Sequence, residues 1–239
     1  MNGIRSAYEK GMASFVRKED ADIYCFQEIK AEEDQIQNII ADLKEYQFYI
    51  NSSKRKKGHA GTAVLYKKSP SDINNSLNYK PFDIEGRICI LKYQNYEIIN
   101  VYMPHGGRQK ENLDFKLKSF ETLVNYIKNK EKVILIGDIN IAHTEIDLAR
   151  PKSNKNNIMF TPKERAVLGS IEALGFTDTF RLLHPKVQKF TWWPYAFKAR
   201  ERDVGWRIDY CYTKNIRIKD ADILTKTTGS DHCPISILI

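Results

Sequence analysis

Three apolar runs in this chain end in an acid. Ile23-Tyr24-Cys25-Phe26 leads to Glu28, Val133-Ile134-Leu135-Ile136 to Asp138, and Arg207-Ile208 to Asp209. A carboxylate beside a buried strand is costly unless it is paired, hydrogen-bonded or bound to a cation. One such acid is an ordinary turn residue. Three in one chain, joined by Ser230-Asp231-His232, form a candidate site. Hard oxygen donors without a Cys or His cluster favour magnesium or manganese over zinc. Magnesium also suits phosphate esters, where it neutralises developing charge. A histidine beside a carboxylate can activate water or stabilise pentavalent phosphorus. In Gly137-Asp138-Ile139-Asn140 two polar side chains stand two residues apart, on one face of extended chain. There Asp138 would orient or deprotonate a nucleophile, and Asn140 would donate to a transition-state oxygen. Taken singly, that stretch is equally a turn and His232 equally a structural histidine.

These residues need elements to hold them. Helical spacing runs over Arg5–Arg17, over Glu32–Leu43, and over Asn112–Lys128, with Leu113, Leu117, Phe120, Val124 and Ile127 on one side. A further helix starts at Thr161-Pro162-Lys163-Glu164, which spells a capping box with Pro in the first turn, and ends at Gly175. Strands are expected over Asp22–Phe26, Tyr46–Ile50, Gly61–Tyr66, Arg87–Tyr93, Tyr96–Tyr102, Val133–Ile136, Phe190–Trp193, Arg207–Tyr212 and Pro234–Ile239. They outnumber the helices and arrive in hairpin-like runs, which fits two stacked sheets with helices outside.

The 239 residues carry no Pro/Gly/Ser-rich linker and no internal repeat, so residues 1–239 are read as a single domain. A net charge of +8 makes a polyanionic partner plausible without deciding the chemistry. Cys25, Cys89, Cys211 and Cys233 are scattered and expected to be reduced thiols. No apolar run is long enough for a membrane span and the N-terminus has no signal core. A cytoplasmic protein is expected.

Eight stretches, in order, resemble the exonuclease III and AP endonuclease family of the endonuclease/exonuclease/phosphatase superfamily. They are Asn2-Gly3-Ile4-Arg5, Gln27-Glu28-Ile29-Lys30, Glu85-Gly86-Arg87, Asn100-Val101-Tyr102-Met103-Pro104, Gly137 to His143, Phe160 to Arg165, Val204 to Tyr210, and Ser230-Asp231-His232-Cys233-Pro234. The resemblance implies an α/β fold, a four-layer α/β sandwich of two packed mixed β-sheets flanked by helices. It implies a Mg2+-dependent DNA phosphodiesterase, with Mn2+ as an alternative ion, having AP endonuclease and 3′-5′ exodeoxyribonuclease activity in base excision repair. The partner would be double-stranded DNA with abasic or 3′-damaged ends, bound by a monomer.

Carried over by motif, Tyr102, Asp138, Asn140, Asp209 and His232 would be catalytic. Asp138 prepares the attacking water and Asp209 orients His232. Glu28, Asp138, Asn140, Asp231 and His232 would bind or adjoin the metal, with Asn2 in its outer shell. Arg108, Asn154, Asn157, Trp192 and Trp206 would contact DNA, the tryptophans as a wall for the abasic sugar, with Trp193 as wall or packing. A sugar without its base extrudes more easily because stacking is already lost. Lys54 to Lys57 either tracks phosphates or is a solvated loop.

The family's first strand normally precedes the motif that begins at Asn2, whereas Met1 directly precedes it here. The expectation is a fold lacking that strand, less stable and less active than a form extended by about ten residues. His105 stands where relatives often carry an amide, and Lys57 to Gly61 is a loose Gly-rich turn. Two other readings remain at this point: a non-catalytic DNA-binding remnant, and a phospholipid or inositol phosphoesterase of the same superfamily.

Overall fold

The computed structural model describes residues 1–239. The chain divides into two compact units, Met1–Tyr102 with Thr228–Ser230, and Met103–Thr227 with Asp231–Ile239.

The first unit opens on α1 (Ile4–Glu9) and α2 (Met12–Glu19). The single helix expected over Arg5–Arg17 is broken at Gly11, whose left-handed φ of 96° turns the chain before Met12. Strand β1 (Ile23–Gln27) follows, and then a 3-10 turn over Glu33–Ile36 runs into α3 (Gln37–Asp42). The helix expected over Glu32–Leu43 is therefore half 3-10, started by a capping box between Glu32 and Gln35. Strands β2 (Gln47–Asn51) and β3 (Thr62–Tyr66) complete an antiparallel sheet in the order β1-β3-β2. Being central, β3 is buried at every position, and its Thr-Ala-Val-Leu-Tyr run accordingly lacks polar alternation.

Two short elements escaped the sequence pattern, β4 (Asp72–Asn74) and α4 (Lys80–Asp83). Strands β5 (Ile88–Lys92) and β6 (Glu97–Tyr102) then pair antiparallel, with β4 on the other edge of β5. Polar side chains tie β5 and β6 to the first sheet. Asn100 donates to the carbonyls of Phe26 and Ala63, Gln27 donates to Asn100 at 2.7 Å, and Asn51 donates to the Ile88 carbonyl. On the helical side Ile4, Val16, Ile29, Ile36, Ile39, Leu43 and Leu65 form one apolar core.

The second unit contains α5 (Leu113–Ile127), β7 (Val133–Asp138), α6 (Pro151–Asn154), α7 (Pro162–Ala173), β8 (Thr177–Asp178), α8 (Thr179–Leu183), β9 (Asp209–Lys214), β10 (Asp220–Ile223) and β11 (Ile235–Leu238). β7 and β8 flank β9, both antiparallel, and β10 pairs antiparallel with β11. The capping box at Thr161 forms as expected. The Glu164 amide donates to Thr161 Oγ1 at 3.3 Å, and the Thr161 amide to Glu164 Oε2 at 3.0 Å.

Two expectations shift in this unit. The face that α5 buries consists of Lys116, Ser119, Phe120, Leu123 and Ile127, one position away from the stripe through Leu117 and Val124. Phe190–Trp193 forms no strand and makes only isolated bridges from Trp192 to Trp206 and to His232. No disulfide joins the four cysteines, and no helix is long and apolar enough to cross a membrane.

Candidate active site

Strand register does in three dimensions what no spacing in the chain announces. In the β7–β9 pair Asp138 lies directly opposite Asp209. Opposed residues on antiparallel strands share a face with Cβ atoms roughly 4.5–5.5 Å apart, and like charges there repel. Both acids are buried, at 6% and 9% exposure, so water offers little relief. Burial first, and the Asp209 charge second, push the Asp138 carboxyl up to about 7.

Asp209 escapes by pairing. Its Oδ2 lies 2.8 Å from His232 Nδ1. Burial alone would lower the imidazole, but the Asp209 charge and hydrogen bond outweigh it and raise His232 above its ordinary value. With Nδ1 engaged, Nε2 is the ring's other working nitrogen. Thr191, which the sequence did not single out, holds Asp209 from behind: its buried hydroxyl accepts from the amides of Ile208 at 3.0 Å and Asp209 at 3.1 Å. The Thr191 carbonyl accepts from Cys233 N at 2.8 Å, which anchors the chain just beyond His232.

Asn140 sits at φ 55°, a left-handed conformation that asparagine tolerates better than most residues. Its backbone N–H donates to Asp138 Oδ1 at 2.9 Å. Its Nδ2 donates to Asp138 Oδ2 at 3.2 Å and to the Met103 carbonyl at 2.9 Å. Both amide hydrogens thus have partners within the chain, one of them on Asp138.

Ligand atoms of Asp138, Asp209 and His232 lie within 4.8 Å of one another. Two buried carboxylates facing each other are a concentration of negative charge that a divalent cation would relieve, and the oxygen donors suit magnesium or manganese. The residues present fit such an ion.

Asp231 accepts at Oδ2 from Trp192 Nε1 at 3.2 Å. Trp192 and Trp206 are half-buried against Ile158, Met159 and Ile208, and Trp206 meets Phe160 edge-on at 6.4 Å. Trp193 is packing instead. It is 3% exposed, donates to Asp203 and lies under the Arg200 guanidinium. Asn154 closes α6 by donating to the Arg150 carbonyl, and Asn157 donates to Asn154 at 2.9 Å. Arg108 is exposed in the loop between Tyr102 and α5.

The first unit holds Asn2, Glu28 and Tyr102. Glu28 follows β1 at φ 57°, and its carbonyl accepts from Gly3 N at 2.9 Å. The Glu28 carboxylate pairs with Lys30 Nζ at 3.0 Å, and the same ammonium donates to Asn2 Oδ1 at 2.6 Å. Lys30, the last residue of the Gln27-to-Lys30 motif, thus joins the two expected metal residues. Tyr102 ends β6 with the Arg87 guanidinium over its ring at 4.7 Å. Glu85 holds Arg87 at 2.6 Å and reaches Arg55 of the basic loop at 2.7 Å. Burial alone would raise the Glu85 carboxyl; Arg87 and Arg55 bring it below its ordinary value.

The endonuclease/exonuclease/phosphatase family model matches residues 2–232. An exodeoxyribonuclease of Bacillus subtilis (strain 168) is 38% identical over 249 residues, covering 100% of this chain and 96% of its own. The DNA repair nuclease APEX1 of Danio rerio is 34% identical, covering 100% and 80%. Among solved structures, an AP endonuclease from Archaeoglobus fulgidus superposes with a TM-score of 0.89 at 28% identity, over 99% of this chain and 95% of that one. The fold is accordingly the mixed α/β one expected, with two main sheets flanked by helices.

Proposed function

The chain belongs to the endonuclease/exonuclease/phosphatase family, and from that premise we propose that it is a Mg2+-dependent DNA phosphodiesterase that incises abasic sites and trims 3′ ends in base excision repair. The observation that carries the reading is the group of buried Asp138 and Asp209 with half-buried His232, whose ligand atoms lie within 4.8 Å of one another. The relatives named for DNA work, and the net charge of +8, favour a DNA substrate over a lipid or inositol phosphate.

In this mechanism Asp138 takes a proton from the attacking water as its oxygen bonds to phosphorus. Asn140 holds the Asp138 carboxylate in the orientation that requires. His232, which Asp209 biases toward the protonated form, stabilises the negative charge spreading over the phosphoryl oxygens as the ester P–O bond breaks. Bound magnesium would supply Lewis-acid polarisation of the phosphate. Glu28, Asp231, Asp138, Asn140 and His232 are assigned to holding or adjoining it, Asn2 to its outer shell, and Tyr102 to the phosphate. Arg108, Asn154, Asn157, Trp192 and Trp206 are assigned to the DNA. We take residues 1–239 as one domain acting as a monomer in the cytoplasm.

The test is an end-labelled abasic duplex incubated with Mg2+ or with chelator. Incision with Mg2+ alone is expected, and Glu28→Gln, Asp138→Asn and His232→Ala should each remove most of it. Full incision by all three variants would refute the assignment. Duplex binding without product would make the protein a DNA-binding remnant, and preferential hydrolysis of a phosphoinositide would move it to the lipid branch.

A further inference from the structure

Lys116 lies on the buried face of α5 with its side chain 0% exposed, as is that of its partner Glu164. Its ammonium has three donors and spends them on three separate segments: the His105 carbonyl at 3.0 Å, the Asn140 carbonyl at 2.7 Å and Glu164 Oε1 at 2.5 Å. Glu164 is equally committed. Its Oε1 also accepts from Met159 N at 3.0 Å, and its Oε2 from Thr161 N and Oγ1. The fit is close, because a Cβ on Gly106 would come within 2.8 Å of Ile158 Cδ1 and 3.1 Å of Lys116 Cδ.

A buried ion pair is weak evidence for stability, since apolar residues of similar volume serve as well or better. What apolar residues cannot do is point three hydrogen bonds at chosen carbonyls. One of those carbonyls belongs to Asn140, which holds a left-handed φ of 55°. A non-glycine residue stays there only when its surroundings hold it. The Asn140 N–H is fixed by Asp138 and its C=O by Lys116. Without Lys116 the buried carbonyl loses this hydrogen bond, and the residue relaxes toward ordinary φ, carrying its amide off Asp138.

We propose that Lys116 is a positioning residue for the reaction: with Glu164 as its anchor, it locks Asn140 in the backbone conformation that aims the Asp138 carboxylate. This rests on the role given to Asp138 above. Lys116→Met should lower kcat on the order of 10²-fold with KM little changed, because a small misplacement of the reacting groups carries that cost. Lys116→Arg keeps charge and donors but is bulkier in this close fit, so it should recover only part of the loss. On an Asn140→Ala background Lys116→Met should add little, since both act through one group.

Hydrogen exchange at residues 139–142, measured without substrate or metal, should be faster in Lys116→Met and unchanged in a surface control, Lys118→Met. Additive losses in kcat, or unchanged exchange in folded Lys116→Met, would overturn the inference. If Lys116→Met gives no cooperative melt, Glu164→Gln carries the same cycle and the same exchange measurement. A wild-type protein that incised nothing would sink the nuclease reading alone, because the exchange result stands without turnover.

Discussion

The acids of the two units are held in opposite ways. Glu28 keeps a carboxylate 22% exposed and pairs with Lys30, itself 34% exposed. Asp138 and Asp209 are buried, opposed across a strand pair, and gripped by Asn140 and His232. An exposed carboxylate exchanges partners with water at little cost, whereas a buried one is fixed by its hydrogen bonds and pays for burial in stability. The difference separates an adaptable carboxylate from a rigid one. The chemistry assigned to Asp138 and His232 belongs where geometry is least negotiable.

The sharpest way to break this contrast is to neutralise one acid of each kind. Asp138→Asn should cut kcat by about 10³-fold or more. It should also raise the melting temperature at pH 8. The folded carboxyl titrates at about 7, above its ordinary 3.8, so the folded state binds a proton that the unfolded chain releases in between. That stabilisation is complete below 3.8 and lost as pH rises through about 7, so removing the charge helps most at pH 8 and less at pH 5. Glu28→Gln should also lose activity, but with an unchanged melting temperature and partial recovery at high Mg2+. Equal thermal shifts in the two variants would erase the distinction.

The His232–Asp209 pair is next. His232→Ala should cost about 10²- to 10³-fold in kcat. Asp209→Asn removes what raises the imidazole, so the alkaline limb of the pH–rate profile should move to lower pH. An unmoved limb would mean that another group titrates there. A smaller effect is thermal: Mg2+ added to metal-free protein should raise its melting temperature by a few degrees at pH 8, and less at pH 5 where Asp138 is protonated. The smallest is Lys30→Ala, expected to change stability by less than about 1 kcal/mol in denaturant titration, since its one ion pair is partly open to water.

Much of the centre could be read from the chain because an acid that closes a strand leaves a mark: an apolar run that stops at Glu28, Asp138 or Asp209. The opposition of Asp138 to Asp209 could not be read, because register depends on pairing partners distant in the chain. The type and motif of Asn140 are legible, but its grip on Asp138 is not, since which hydrogens an amide spends is a matter of three-dimensional neighbours. Lys116 was passed over because apolar residues alone defined the stripe on α5; a lysine in register with Phe120, Leu123 and Ile127 was the available signal. Thr191 lay in a stretch read as a strand, and its hydroxyl does by side chain what a ladder would have done by backbone. At the other extreme the Thr161 cap was plain, because a capping box is written within four residues.

All three tryptophans fall between positions 192 and 206, and one of them donates its indole N–H to Asp231. Their fluorescence is therefore a built-in optical gauge of this stretch of the second unit, needing no dye. An ion or a stripped sugar arriving beside Asp231 would be seen as a change in emission before any strand is cut.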